Sequence, residues 1–525
     1  MIERIRALPA YQRLVENLHA GKTLPGLGLM RSARLPLLAA LHQDWRAPLL
    51  LITDRTDRAL TLIDELAFWM GGRNAVYFPE PNPLFYEQAA WGDVTRRDRL
   101  QTLTALAVYH LVGTTKPTSP PLIVAPVRAI MTRTLPRRDF LKNSKTFKVG
   151  QIISLEALRR NWVDIGYQPE EVVLGPGQVS SRGGILDIWP PAEPFPVRFE
   201  FFGDEIDTLR RFDPASQRTL QQLEKLLVTP AREVLPGYVD TNQFPAGEIS
   251  EFQLPLVHPA PASVLDYLPQ GSLVLADDLD LLQNIAGEIE EQSVRLRRES
   301  IEEGTLPPDF PVPYLSWSEI QDSLTLLNTL ELGFSSALEP SELADCFQKG
   351  PRFSGRLEPF FEALSALCRK GHDSVIVSRQ IGRLRELWQK NHIPDCPVAP
   401  PEFIEGTLSE GWVLRSDGGM DFHLFTDSEI FGWERPQPRA RARPMAEAPE
   451  ADYADLKPGT WVVHVDYGIG KFIGLVQRTL DGVERDFLCV EYAEGDQLFV
   501  PVYQADRLSR YIGASGETPT PTRLG

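Results

Sequence analysis

From Met1 to about Ile130 the chain alternates short apolar runs with longer amphipathic stretches. The runs are PLLLIT (Pro48–Thr53), AVYFP (Ala75–Pro79) and PLIVAP (Pro121–Pro126). Unbroken apolar runs between helical stretches predict parallel strands covered by helices. From Phe147 to about Val228 the pattern becomes strand-rich, with ILDIWPP, VRFEFFG and EIDTLRRFD separated by Gly and Pro turns. This predicts an inserted β-rich module. Helix and strand alternation returns with SLVLADD (Ser272–Asp278) and the charged helix DLLQNIAGEIEEQSVRLRRES, read as the return to the first sheet. A small α/β unit follows from about Gly333 to Gly432, with RLEPFFEALSALCRKG, the strand SVIVS, the helix RLRELWQKN, and the strands WVLRS and FHLFTD. RPQPRARARPMAEAPEADY is too rich in Pro, Ala and charge to build a core and reads as a linker. The last patterned stretch, KPGTWVVHVDYGIGKFIGL, then DFLCVEY and QLFVPV, has the short strands and Gly-rich turns of a small barrel.

Composition narrows the function classes. The net charge of −17 argues against a chain whose main task is wrapping DNA, because phosphate binding relies on Lys and Arg, and favours protein partners. No apolar run approaches the roughly 18 to 20 residues of a membrane span, and the N-terminus lacks the layout of a secretion signal, so no membrane association and a cytoplasmic location are expected. Cys346, Cys368, Cys396 and Cys489 lie far apart without a CxxC pair and are expected to be reduced. The eight histidines show no HxH or HExxH spacing, and no metal is expected.

An ATP site in the first sheet would need GxxxxGK[ST], whose backbone N–H groups cradle phosphates while Lys and Ser/Thr hold charge and Mg²⁺. Where the topology would place it, the chain reads GLGLMRSARLPLLAAL (Gly26–Leu41), with Arg31, Ser32, Ala33 and Arg34 in place of the Gly-Lys-Ser/Thr end. The GKT at Gly21–Thr23 is a decoy, since Glu16 stands where the first Gly belongs and the segment before it is helical. Asp277 and Asp278 close LVLADD as a metal-binding acid would, yet read more simply as a helix N-cap pair. With no GxSxG and no acidic helicase box either, no catalytic residue and no cofactor is expected.

The stretch VLGPGQVSSRGGILDIWPPAEPFPVRFEFFGDEIDTLRRFDPASQRTL (Val173–Leu220) resembles the UvrA-binding domain shared by UvrB and the bacterial transcription-repair coupling factor. By period two, Arg198, Glu200 and Phe202 share one strand face, with Val197, Phe199 and Phe201 on the other. That face could be ordinary solvent exposure with Phe202 partly buried, yet a combination of Arg and aromatic is the composition of interface hot spots. The resemblance implies that Arg182, Arg198 and Phe202 contact UvrA, with Glu200 and Glu205 as weaker candidates on the same surface. The loop at Gly26–Arg34 selects the coupling factor over UvrB, which needs a working phosphate loop.

Leu456–Tyr511, with HVDYGIGKF, FLCVEYAEGDQLFVPV and LSRY, resembles the coupling factor's polymerase-interaction domain, a Tudor-like barrel also found in CarD-type regulators. In that family an edge strand adds to a strand of the RNA polymerase β subunit. Leu488, Val490 and Tyr492, with Leu498, Val500 and Pro501 on the hairpin mate, are the expected contacts. Gly468 and Gly470 are read as the residues that let the backbone bend sharply there.

The resulting fold class is multidomain α/β. It comprises a degenerate P-loop-like parallel sheet (1–135 and 223–332) with an inserted UvrA-binding module (136–222), a small α/β spacer domain (333–433), a linker (434–453), a Tudor-like, CarD-like β-barrel (454–513) and a tail (514–525). The resemblance implies the N-terminal half of a coupling factor, acting as a monomer. The ATP- and Mg-dependent translocase, and with it DNA binding, would lie in a motor absent from these residues. A CarD-like transcription regulator, keeping the UvrB-like part as scaffold, is the alternative.

Overall fold

The computed structural model describes residues 1–72, 75–239, 249–334, 339–391, 400–415, 420–432, 458–459, 461–464, 468–480, 483–493, 497–501 and 508–510. The expected linker at 434–453 and tail at 514–525 lie outside the described residues. The chain divides into two compact units, Met1–Pro438 and Arg439–Gly525.

In the first unit the apolar runs become a five-stranded parallel sheet in the order Asn328–Glu331, Leu273–Ala276, Leu49–Thr53, Leu122–Pro126, Val76–Tyr77. Leu49–Thr53 and Leu122–Pro126 are buried at every position because both faces are covered. Leu50, Ile52, Ile123, Ala125, Val274 and Ala276 join one core. The alternate residues Leu49, Leu51, Leu122, Val124, Leu273 and Leu275 join another. The Asn328–Glu331 strand had no counterpart in the sequence reading; NTLE is too short and too polar to announce itself.

The inserted module is a six-stranded sheet in the order Thr219–Leu223, Glu205–Phe212, Val197–Phe202, Ile185–Ile188, Gln178–Arg182, Gln168–Pro169. Its buried side, including Val197, Phe199, Ile206 and Leu209, is continuous with the first of the two cores. Entry and exit are tied together, since Lys145–Lys148 pairs antiparallel with Lys225–Val228. The root of the module therefore reaches past Leu223.

The region expected as a spacer is less separate than its sequence suggested. Its sheet, ordered Phe347–Gln348, Trp412–Leu414, Phe422–Thr426, Asp373–Ser378, Glu402–Glu405, places Val375, Val377, Trp412 and Leu424 in the same core as Leu37, Leu51 and Trp69. Trp69 stacks on Trp412 at 6.3 Å, and Glu65 accepts the Ser409 N–H at 2.8 Å. Cys346 and Cys489 are reduced thiols, whereas Cys368 is disulfide-bonded; this corrects the expectation of a reduced thiol there, which spacing along the chain cannot decide.

The second unit contains a five-stranded antiparallel sheet in the order Gln497–Pro501, Val483–Glu491, Gly468–Leu480, Trp461–His464, Leu508–Arg510. Among the described residues no helix is long and apolar enough to cross a membrane.

Candidate functional site

The module's outward face follows from ladder register. Arg182 pairs with Ile185, Ile185 with Glu200, and Glu200 with Thr208; one row away Asp187, Arg198 and Arg210 stand abreast. The Gly183–Gly184 turn makes the first hairpin two residues long. Gly183 sits at φ +59, where a side chain is strained, and a Cβ on Gly184 would meet the Phe201 carbonyl at 3.2 Å. The β-bulge in the next hairpin falls between Thr208 and Ile206, leaving the alternation of Val197–Phe202 intact. Val197 and Phe199 are buried, Arg198 and Glu200 half-buried, and Phe202 is 83% exposed. The period-two assignment of Arg198, Glu200 and Phe202 to one face agrees with this burial.

The charges on that face are largely matched. Arg198 donates from Nε and from a terminal nitrogen to the two Asp187 oxygens, each at 2.8 Å. It also reaches Gln217 Oε1 at 2.8 Å and lies 4.5 Å from the Phe212 ring centre. Asp187 holds the Arg198 guanidinium above its ordinary pKa. Gln217 occupies φ +59, an uncommon conformation for a residue other than Gly, Asn or Asp. Glu200 pairs with Arg210 and accepts the Thr208 hydroxyl at 2.8 Å. Arg182 is exposed and donates to the Glu171 carbonyl. Glu205, opposite Phe202, is exposed. The five sequence-named residues thus meet on one side of one sheet, with Phe202 as its most exposed apolar side chain.

At Gly26–Leu41 the structure places an ion pair. Leu27, Gly28 and Leu29 donate backbone bonds to Glu331, Gly333 and Leu332, and the helix Arg31–Asp44 follows. Arg34, in its first turns, is buried. Its guanidinium donates to the Asp277 carbonyl and to Asp277 Oδ1, each at 2.7 Å, and to the Leu29 carbonyl at 3.1 Å. Arg58 reaches Asp277 Oδ2 at 3.3 Å. Of the expected N-cap pair, Asp278 caps Leu279–Glu302 through the Leu281 N–H, while Asp277 serves the arginines instead.

The polymerase contacts expected on the second unit divide. Leu488, Val490 and Tyr492 are buried, at 0, 0 and 3% exposure; Leu488 and Val490 lie in a strand paired on both sides, and Tyr492 follows its end. None of the three side chains is open to a partner, and the backbone of Leu488 and Val490 is already paired, which corrects the assignment for these three. A small sheet needs its own core, and this alternating face supplies it. Gly470 also differs from its reading as a bending residue: a Cβ there would lie 2.6 Å from Val490 Cγ1, so it allows close packing inside a strand. Leu498 is half-buried on the outermost strand of the described sheet. The side chains of Val500 and Pro501 lie outside the described residues, although their backbone belongs to that strand.

Comparison with known proteins adds two family matches. Residues 146–234 match the UvrB interaction domain, and residues 456–512 match the CarD-like/TRCF RID domain. The transcription-repair-coupling factor of Bacillus subtilis (strain 168) is 25% identical over 571 residues, covering 98% of this chain and 47% of that protein. That of Myxococcus xanthus is 28% identical over 583 residues, with coverage of 98% and 47%. The chain is thus similar over nearly its whole length to the transcription-repair-coupling factors. It spans about half the length of the curated relatives it matches.

Two further features escaped the sequence reading. Arg99 and Glu233, 134 residues apart, form a buried ion pair with Nε to Oε1 at 2.5 Å. His372, Asp421 and His423 gather with donor atoms within 4.8 Å of one another, because Asp373 and Phe422 start adjacent parallel strands in register. Burial, then the neighbouring His372, pushes His423 down to about 4. His372 Nδ1 accepts the Asp421 N–H at 2.9 Å, so that lone pair is already engaged, and we assign no ion to the group.

Proposed function

We propose that this chain is the docking half of a transcription-repair coupling factor, which joins RNA polymerase to UvrA and so directs nucleotide excision repair to stalled transcription. The observation that carries this reading is the presence, in one chain, of matches to the UvrB interaction domain and to the CarD-like/TRCF RID domain. The exposed Phe202 on the same face as Arg182 and Arg198 supports the UvrA surface, because aromatics and arginines are what interfaces use as anchors.

For polymerase we assign the strand Gln497–Pro501, outermost among the described strands of its sheet, whose outer edge can extend a strand of the β subunit. Proline within it suits an edge, because an edge strand tolerates the missing N–H. We assign no nucleotide to the loop before Arg31–Asp44. There Arg34 neutralises Asp277, the acid at the end of a central strand that a nucleotide-bound metal would need. The fold is then a small polymerase-binding barrel and a phosphate-loop sheet that has lost its ligand, and the chain tethers as a monomer without catalysis or cofactor.

The test is binding of purified UvrA to the chain and to its Phe202→Ala variant. Phe202 touches little of the core, so its loss isolates the contact from the fold, whereas Arg198 also holds Asp187 and Gln217. Loss of UvrA binding on unchanged melting supports the reading. Undiminished binding by Phe202→Ala and Arg198→Ala alike leaves the barrel as the working part, as in a CarD-like regulator.

A further inference from the structure

The row of side chains that includes Phe202 does not end at its hairpin. The segment Gly150–Ile153 runs beside the next strand as a short extra ladder. Gly150 N–H donates to the Ile206 carbonyl at 2.8 Å, Ile206 N–H to the Gln151 carbonyl at 2.9 Å, and Ile153 N–H to the Asp204 carbonyl at 2.7 Å. Ile152 pairs antiparallel with Glu205, and Glu205 pairs with Phe202. Opposed residues in antiparallel strands share a face, so Ile152, Glu205 and Phe202 stand in one row, the outer two about 10 Å apart at two strand spacings. The next residue, Ile153, packs against the module core, as alternation requires if Ile152 faces out.

Ile152 is 79% exposed and Phe202 83%. A single exposed apolar residue is ordinary. Two of them, fixed by backbone ladders on either side of one carboxylate, form a pattern that a complementary surface can read. The charge around them differs from that on the rest of the face. Arg198 and Arg210 are matched by Asp187 and Glu200, but Asp204, Glu205 and Asp207 at this end are exposed, and among the described residues none of the three forms an ion pair.

We propose that Phe202 and Ile152 are two apolar knobs flanking Glu205, and that the partner presents a cationic side chain between two apolar recesses. The inference rests on the reading of this face as the UvrA surface and specifies what UvrA must offer there. Ile152 becomes a binding residue that no local motif indicated. Glu205 becomes the central charge, with its carboxylate attracting the partner's cation where apolar contact on both sides excludes water.

The experiment measures affinity of the 525-residue chain for purified UvrA by interferometry at two salt concentrations. It compares the unmodified chain with Phe202→Ala, Ile152→Ser and Glu205→Gln, with thermal melting of each as the folding control. All three positions are solvent-facing, so melting stays unchanged. Phe202→Ala and Ile152→Ser each weaken binding about tenfold or more. Glu205→Gln weakens it and flattens its salt dependence, as loss of one charge pair requires. If Phe202→Ala weakens binding while Ile152→Ser and Glu205→Gln behave as the unmodified chain, the two-knob arrangement is overturned and the UvrA assignment stands. If none of the three changes affinity, the assignment of this face fails, and the inference with it.

Discussion

Replacing Arg99 by Met tests what holds the module to the sheet that carries it. Arg99 has no exposed surface. It donates to both Glu233 oxygens at 2.5 and 3.2 Å, to the Pro79 carbonyl at 3.2 Å and to the Arg133 carbonyl at 3.5 Å. Its guanidinium carbon lies 4.4 Å from the centre of the Phe78 ring and 4.7 Å from that of Trp91. Met keeps much of the stem but none of the donors. Glu233, itself buried, then retains the Leu135 N–H at 3.4 Å. Removing one partner of a buried pair costs about 3 to 5 kcal/mol, limited by the option of protonating the stranded carboxyl, at about 1.4 kcal/mol per pH unit.

That option fixes the pH dependence. Burial already raises the Glu233 pKa, and Arg99 opposes the rise, so the variant raises it further. For a carboxyl raised on folding, the unfolded chain releases its proton first. Stability is therefore full below the unfolded value and falls as pH rises through the folded one. The window is wider in the variant, so its deficit grows from pH 5 to pH 8. Urea unfolding followed by tryptophan fluorescence, with Trp91 as a local reporter, measures it. The double variant Arg99→Met/Glu233→Leu recovers most of the loss, because no charge is left stranded. A deficit below about 1 kcal/mol, or one larger at pH 5 than at pH 8, would refute the reasoning.

Three other outcomes follow from the same geometry. Arg34→Ala destabilises the first unit by about 3 kcal/mol, the low end for a buried pair because Arg58 still reaches Asp277; a fluorescent ATP analogue shows no saturable binding to the unmodified chain. Val490→Arg unfolds the second unit, since a charge at a fully buried position costs more than about 4 kcal/mol; loss of β-sheet circular dichroism checks it, and a folded variant would place Val490 at the surface. His423→Gln reduces the acid sensitivity of the first unit. With the folded imidazole near 4, stability present above the unfolded pKa of about 6.5 is lost as pH falls toward 4, and melting of the two proteins at pH 7 and pH 5 shows whether the difference narrows.

What was legible in the sequence was what local pattern determines. Continuous apolar runs located the parallel strands, and period two along Val197–Phe202 placed Arg198 and Phe202 on one face before any register was known. What escaped depends on which segments meet. Ile152 acquires meaning only because Gly150–Ile153 lies against Asp204–Ile206. The alternation of Leu488, Val490 and Tyr492 fits an inner or an outer face equally well, and only their burial in the folded unit shows that they face inward. Arg34 and Asp277 are 243 residues apart. The sequence showed that Lys and Ser/Thr were missing from the loop, but not what had replaced their charge.

The central claim is that one chain holds UvrA and RNA polymerase together. Its most direct test immobilises RNA polymerase and measures retention of UvrA with and without this chain. The account predicts retention in the presence of the chain, none in its absence, and loss with Phe202→Ala although that variant itself still binds polymerase. UvrA retained equally without the chain, or never retained with it, would contradict the account.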